Sequence, residues 1–132
     1  MSMEKKFFLA ASILGLIAVV LGAFAAHGLR DALNNTSLES FQTGVRYQMY
    51  HAFFLFVVGL MPQLHPQQKK RLLWLTFLGV LLFSGSIYLL ATNSLTPINF
   101  SFLGPVTPIG GLLLISAWGL LGGLSFKTQK IS

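Results

Sequence analysis

The sequence predicts an all-α integral membrane protein: a four-helix bundle with both termini on the same side of the bilayer. Three observations carry that expectation. Hydrophobic residues make up 54% of the chain and charged residues only 9%, whereas a soluble domain carries about 25% charged residues. Four apolar runs recur within 132 residues, the length of a single domain. The charges fall between those runs and divide unequally among the connections. A mean hydropathy of +0.71 agrees. A soluble chain this short must cover most of its surface with polar groups, so a water-soluble enzyme, a disordered chain and a coiled coil are excluded. The absence of cysteine excludes disulfide scaffolds, thiol catalysis, iron–sulfur clusters and thiolate zinc sites. A net charge of +6 would suggest nucleic acid in a polar protein. Here the cations flank apolar runs, so they orient the chain in a membrane and no nucleic-acid partner is expected.

The four spans are 7–26, 46–63, 72–90 and 108–126 of one transmembrane domain covering 1–132. The first is free of charge over about twenty residues, enough to cross a hydrocarbon core of roughly 30 Å. Lys5-Lys6 before it and Ala23-Phe24-Ala25 at its end imitate a signal peptide. The run exceeds the usual apolar core of such a peptide, so it is read as a retained span. The second run is short, and Thr36-Ser37-Leu38-Glu39 reads as a capping box. One long helix from about Ser37 to Gln63 is therefore expected, with Pro62 and Pro66 marking its end. Thr107 and Pro108 suit the cap and first residue of the last helix.

Lys5, Lys6, Lys69, Lys70, Arg71, Lys127 and Lys130 lie on one side, against Arg30 and Arg46 on the other. By the positive-inside rule both termini face the cytoplasm. Lys69, Lys70 and Arg71 read as topology determinants that also meet anionic lipid. Trp74 and Trp118 read as interfacial or packing residues. Small residues mark the helix seams: Ala11, Gly15, Ala18, Gly22 and Ala26 in the first span, Ser84-Gly85-Ser86 in the third, and Gly110, Gly111, Ser116, Ala117, Gly119, Gly122 and Gly123 in the fourth. They serve packing within the monomer, or homo-oligomer formation through an exposed stripe.

Chemistry concentrates near the non-cytoplasmic ends of the first two spans. His27 closes the first. Arg46, Tyr47, Gln48, Tyr50 and His51 crowd the second, with Tyr47 and His51 one helical turn apart. Polar groups in hydrocarbon need partners, and His27, Ser84, Ser86, Tyr88 and the carbonyls of Gly104 to Thr107 are the available ones. A buried polar cluster of His27, Arg46, Tyr47, Gln48, His51 and Ser86 is thus expected beneath the outer surface. Three uses are open to it. It holds the bundle together, with Arg46 on carbonyls of the outer loop; or it takes a lipid headgroup or small anion on Arg46; or His27 and His51 ligate haem or metal. The first is preferred, with no cofactor. Catalysis is not expected: all three acids lie outside the spans, and neither a Ser–His–Asp order nor a phosphate-binding loop appears. The uncharged stretch 91–107, with Phe100 and Phe102 between Pro97 and Pro105, is either a lid over the cluster or passive.

The stretches 22–29 (Gly22-Ala23-Phe24-Ala25-Ala26-His27-Gly28-Leu29), 45–52 (Val45-Arg46-Tyr47-Gln48-Met49-Tyr50-His51-Ala52), 84–86 and 104–111 (Gly104-Pro105-Val106-Thr107-Pro108-Ile109-Gly110-Gly111) occur in the order of one known family. The chain resembles the small bacterial membrane proteins of domain-of-unknown-function family 423, which are similar to the eukaryotic transmembrane protein 256. The resemblance covers nearly the whole chain. It departs at Ala25, where the family pattern usually has glycine. It implies a multi-pass four-helix protein of the bacterial cytoplasmic membrane, with the lipid bilayer as its partner and no established activity.

Overall fold

The first, third and fourth apolar runs lie inside longer helices, whereas the second runs four residues past the end of a helix that begins earlier, at Asn35. The computed structural model describes residues 2–127 and is helical throughout its regular parts; Lys130, one of the cations counted above, lies outside the described residues. The helices are α1 (Met3–His27), α2 (Asn35–Gly59), α3 (Pro66–Ala91) and α4 (Val106–Lys127). Two 3₁₀ turns, Asn93–Leu95 and Ser101–Leu103, interrupt the connection before α4. At 1.5 Å per residue each helix is roughly 33 Å or longer, sufficient for a bilayer.

The helix ends follow local hydrogen-bonding chemistry, and some differ from expectation. Ser2 caps α1 by accepting from the Lys5 amide at 3.2 Å. Asn34, not Thr36, caps α2: its Oδ1 accepts from the Ser37 amide at 2.8 Å. Asparagine is among the strongest N-caps, and it stands in extended backbone directly before the helix. The Thr36–Glu39 capping box therefore does not form, and Glu39 stays exposed. The far end of α2 is Gly59 rather than Gln63, and its carbonyl accepts from Lys69 Nζ at 3.0 Å. Pro66 occupies the first turn of α3, while Gln68 Oε1 accepts from the His65 amide at 2.9 Å. Thr107 is not the cap of α4 but already lies within it.

Neighbouring helices in the chain pack antiparallel: α1 on α2, α2 on α3, and α3 on α4. Glycines report how closely. A Cβ on Gly59 would come within 2.6 Å of Phe7 Cβ, one on Gly22 within 3.4 Å of Val45, and one on Gly15 within 3.9 Å of Ala52. Between α3 and α4 the backbones nearly touch, since a Cβ on Gly110 would lie 2.3 Å from the Phe83 amide nitrogen. Without a hydrophobic drive in lipid, such close approach is what helix association rests on. The main core contains Phe7, Leu14, Leu55, Val58, Leu72 and Leu114. A smaller one, at the end where α1 turns into α2, contains Ala25, Leu29, Leu33, Phe41 and Ala91. Ala25 is fully buried there.

The outer faces are apolar. Leu16 and Ile115 are each 67% exposed, and Val19, Val57, Leu81 and Leu112 are exposed as well. In water so much apolar surface would be unstable; in lipid it is the expected exterior. α1, α3 and the segment Ser101–Lys127 are long and apolar enough to cross a membrane. α2 is the more polar helix, and it is flanked by α1 and α3.

Candidate functional site

The polar side chains of α2 divide between two faces, and that division decides the site. Successive residues turn by about 100°, so Gly44, Gln48, His51, Ala52, Leu55 and Val58 share the buried face. Arg46, Tyr47 and Tyr50 fall on the exposed one.

Gln48, 4% exposed, joins three helices. Its Nε2 donates to the Leu14 carbonyl of α1 at 2.9 Å. Its Oε1 accepts from the Tyr88 hydroxyl of α3 at 2.7 Å. One turn away, Ser84 of α3 donates to the Gly44 carbonyl of α2 at 2.7 Å. This approach is possible because Gly44 has no side chain: a Cβ there would meet Tyr88 at 2.8 Å. Tyr88 also stacks obliquely on Phe41, their rings 4.9 Å apart.

His51 has two partners. Its Nδ1 lies 2.6 Å from the Tyr47 carbonyl, an oxygen that can only accept, so Nδ1 carries the proton. Its Nε2 then accepts from Trp118 Nε1 of α4 at 3.1 Å. Phe54 packs against the same indole with ring centroids 4.5 Å apart. Ser86 donates to the Phe83 carbonyl at 3.0 Å and shares a 2.5 Å hydrogen bond with the Thr107 hydroxyl. That contact ties α3 to the first turn of α4.

Among the expected cluster residues, Gln48, His51 and Ser86 are buried, but each serves a different seam. His27, Arg46 and Tyr47 are exposed, which corrects the expectation of one enclosed cluster. Arg46 donates to its own-helix neighbour Thr43 Oγ1 at 3.1 Å and does not hold the outer loop. The Tyr47 ring lies against Tyr50 and Phe83 on the surface, with centroids 5.6 Å and 5.1 Å away. His27 follows the buried Ala25 by two positions, which turns it to the opposite side of α1. The antiparallel register also separates the two histidines. Gly15 faces Ala52, and His27 stands twelve residues beyond Gly15, roughly 18 Å along the axis. With both ring nitrogens of His51 engaged as well, a shared ligand held by His27 and His51 has no geometric basis. Among the described residues, the buried side-chain atoms without a partner are Gln63 Oε1 and Thr76 Oγ1, neither belonging to these contacts.

Sequence reasoning missed Trp118 and the Leu14 carbonyl as partners. No local signal marks either; each depends on how neighbouring helices are set against one another. The connection between α3 and α4 forms its own scaffold. Asn93 Oδ1 accepts from the Phe100 amide at 2.8 Å, and Asn99 Oδ1 accepts from the Ser101 amide at 3.1 Å and from the Ser101 hydroxyl. The two 3₁₀ turns pack on α3, leaving Ile98 and Phe102 exposed.

Polar contacts satisfied between helices and an apolar exterior together define a multi-pass helical membrane protein. The chain belongs to the family described as protein of unknown function (DUF423), whose model matches residues 21–111. It is similar to a UPF0382 membrane protein of Staphylococcus haemolyticus, 40% identical over 93% of this chain and 97% of that one. YwdK of Bacillus subtilis, also a UPF0382 membrane protein, is 40% identical over 86% and 90% of the two chains. The UPF0382 inner membrane protein YgdD of Escherichia coli is 34% identical over 98% of each. No solved structure matches this chain.

Proposed function

We propose that the chain is a non-enzymatic structural or accessory protein of the bacterial cytoplasmic membrane, with both termini on the cytoplasmic side. Its interior polar side chains serve to fix the register of four helices. The observation that carries this is Gln48, whose amide bridges a carbonyl of α1 and a hydroxyl of α3 from within α2. A binding pocket would present unsatisfied groups to its ligand, whereas Gln48, His51, Ser84 and Ser86 are satisfied by protein. Support for the location comes from the cation distribution and from the inner membrane named for the E. coli relative.

Unfolding in mild detergent tests the register role. Hydrogen bonds between membrane helices contribute about 0.6–2 kcal/mol each. Gln48→Leu should therefore lower the unfolding midpoint, while Arg46→Ala, with its single local bond, should move stability by less than about 0.5 kcal/mol. Unchanged stability in Gln48→Leu would remove the proposal. A second reading, contact with an anion or lipid headgroup, finds support in the exposed Arg46 beside the Tyr47–Tyr50 pair. It requires that Arg46→Ala lose lipid seen on the wild type by native mass spectrometry.

A further inference from the structure

The three consecutive cations of α3 do not act alike. Lys69 is turned to the Gly59 carbonyl of α2. Lys70 and Arg71 instead line a groove of about 440 Å³ between α3 and α4, with Gln67 at the same end. The spacing puts these groups on one stripe. Residues 67, 70, 71, 74, 75 and 78 recur at intervals of three and four, the period of a single helix face. Along that stripe the chemistry changes in order. Gln67, Lys70 and Arg71 are polar; Trp74 is 52% exposed; Leu75 and Leu78 are apolar. Leu113 and Leu120 form the wall contributed by α4.

The register that sets Gly110 against Phe83 and Gly79 against Leu114 runs α4 antiparallel to α3 along this groove. The chain has three acidic side chains, Glu4, Asp31 and Glu39, so neither α3 nor α4 carries one to neutralise the pair.

We infer that this groove binds one anionic phospholipid, in the leaflet that meets the α2–α3 turn. Its phosphate and polar head lie on Lys70 and Arg71, and one acyl chain lies on Trp74, Leu78, Leu113 and Leu120. Arginine offers a planar fork of donors to phosphate oxygens, and lysine a second point charge. An indole stands at headgroup depth, where tryptophan is enriched. From Lys70 to Leu78 the groove descends roughly 12 Å, which seats the upper part of an acyl chain. Charge complementarity selects an anionic lipid over the zwitterionic lipids that fill any apolar groove. The inference goes beyond the register role proposed above and holds whichever side of the membrane this end faces.

Quenching of Trp74 by brominated lipid tests it. Wild type and Trp74→Phe are reconstituted in phosphatidylcholine vesicles containing an equal fraction of brominated phosphatidylglycerol or brominated phosphatidylcholine, and the difference between the two proteins isolates Trp74. A cation near the surface favours anionic lipid by about 1 kcal/mol, about fivefold in affinity. The phosphatidylglycerol preference at Trp74 should therefore be fivefold or greater and fall towards one in Lys70→Gln/Arg71→Gln. It should persist in Lys5→Gln/Lys6→Gln, exposed cations at the start of α1. Equal quenching by both lipids in the wild type overturns the site before any variant is made. Equal loss in both double variants overturns it too, because the preference would then be general surface attraction.

Discussion

Gln48 and Thr76 mark two outcomes for a polar side chain enclosed by membrane helices. Gln48 finds an acceptor on α1 and a donor on α3, so its burial is offset by hydrogen bonds. Thr76 is fully buried and its hydroxyl has no partner. An unmet buried group destabilises by about 1–3 kcal/mol, and valine has the same shape without the hydroxyl. Thr76→Val is expected to raise the unfolding midpoint in detergent; a lower midpoint would mean that the hydroxyl is satisfied in the folded protein. That Gln48 needs a partner is legible in the sequence, because it lies within an apolar stretch. That the partner is the carbonyl of Leu14, an apolar residue, is not, since every residue offers a carbonyl. His51 is similar: its need is legible, its pairing with Trp118 is not. Arg46 and His27 read as members of the cluster because they lie near it in the chain. Helical rotation by about 100° per residue separates them.

Glycines set the spacing between helices, and their roles differ within α4. Gly110 is where α4 meets the α3 backbone, with the Phe83 amide 2.3 Å from the site of a Cβ. Gly119 has no atom within 4 Å of that site. Gly110→Ala must therefore push two helices apart, a form of overpacking that destabilises by about 1–3 kcal/mol or more. Gly119→Ala should leave stability unchanged or raise it slightly, since alanine is the better helix former by about 1 kcal/mol. Paired unfolding curves would measure both, and an equal loss at the two positions would contradict this assignment of the seam. The sequence marks the small residues of α4 as one group. Only the packing separates Gly110 and Ala117, which face α3 and the core, from Gly119, Gly122 and Gly123, which do not. The α1 stripe reads better. Ala11 and Ala18 are fully buried and Gly15 and Gly22 approach α2, because a spacing of three and four keeps one face for several turns.

Across the molecule, the antiparallel order of the helices gathers Ser2, the 60–65 turn and Lys127 at one end. The 28–34 turn and the 92–105 connection lie at the other. The first end carries Lys5, Lys6, Lys69, Lys70, Arg71 and Lys127, the pattern of a cytoplasmic face. The chain contains no cysteine, so single introduced thiols report position without interference. Asn99→Cys should react with a membrane-impermeant maleimide on intact spheroplasts, whereas Ser2→Cys and Gln67→Cys should react only after permeabilisation. The reverse pattern would invert the proposed topology while leaving the fold intact. The 92–105 connection adds its own apolar surface at the other end, with Phe102 69% exposed. Its turns rest on α3.

Composition alone fixed the solvent, because so few charges cannot clothe a chain of this size in water. Apolar run lengths and intervening cations gave four helices and their alternation, both being local or additive properties of the chain. Helix ends were legible to within a few residues, with Asn34 prevailing over the Thr36–Glu39 pair as the cap of α2. Tertiary structure decided everything that depends on rotation and register between helices. Setting Gly15 against Ala52 and Gly110 against Phe83 determines that Gln48 meets Leu14, that His51 meets Trp118, and that Arg46 is left at the surface. Those pairings join residues 34 and 67 positions apart in the chain, and no short stretch of sequence encodes them.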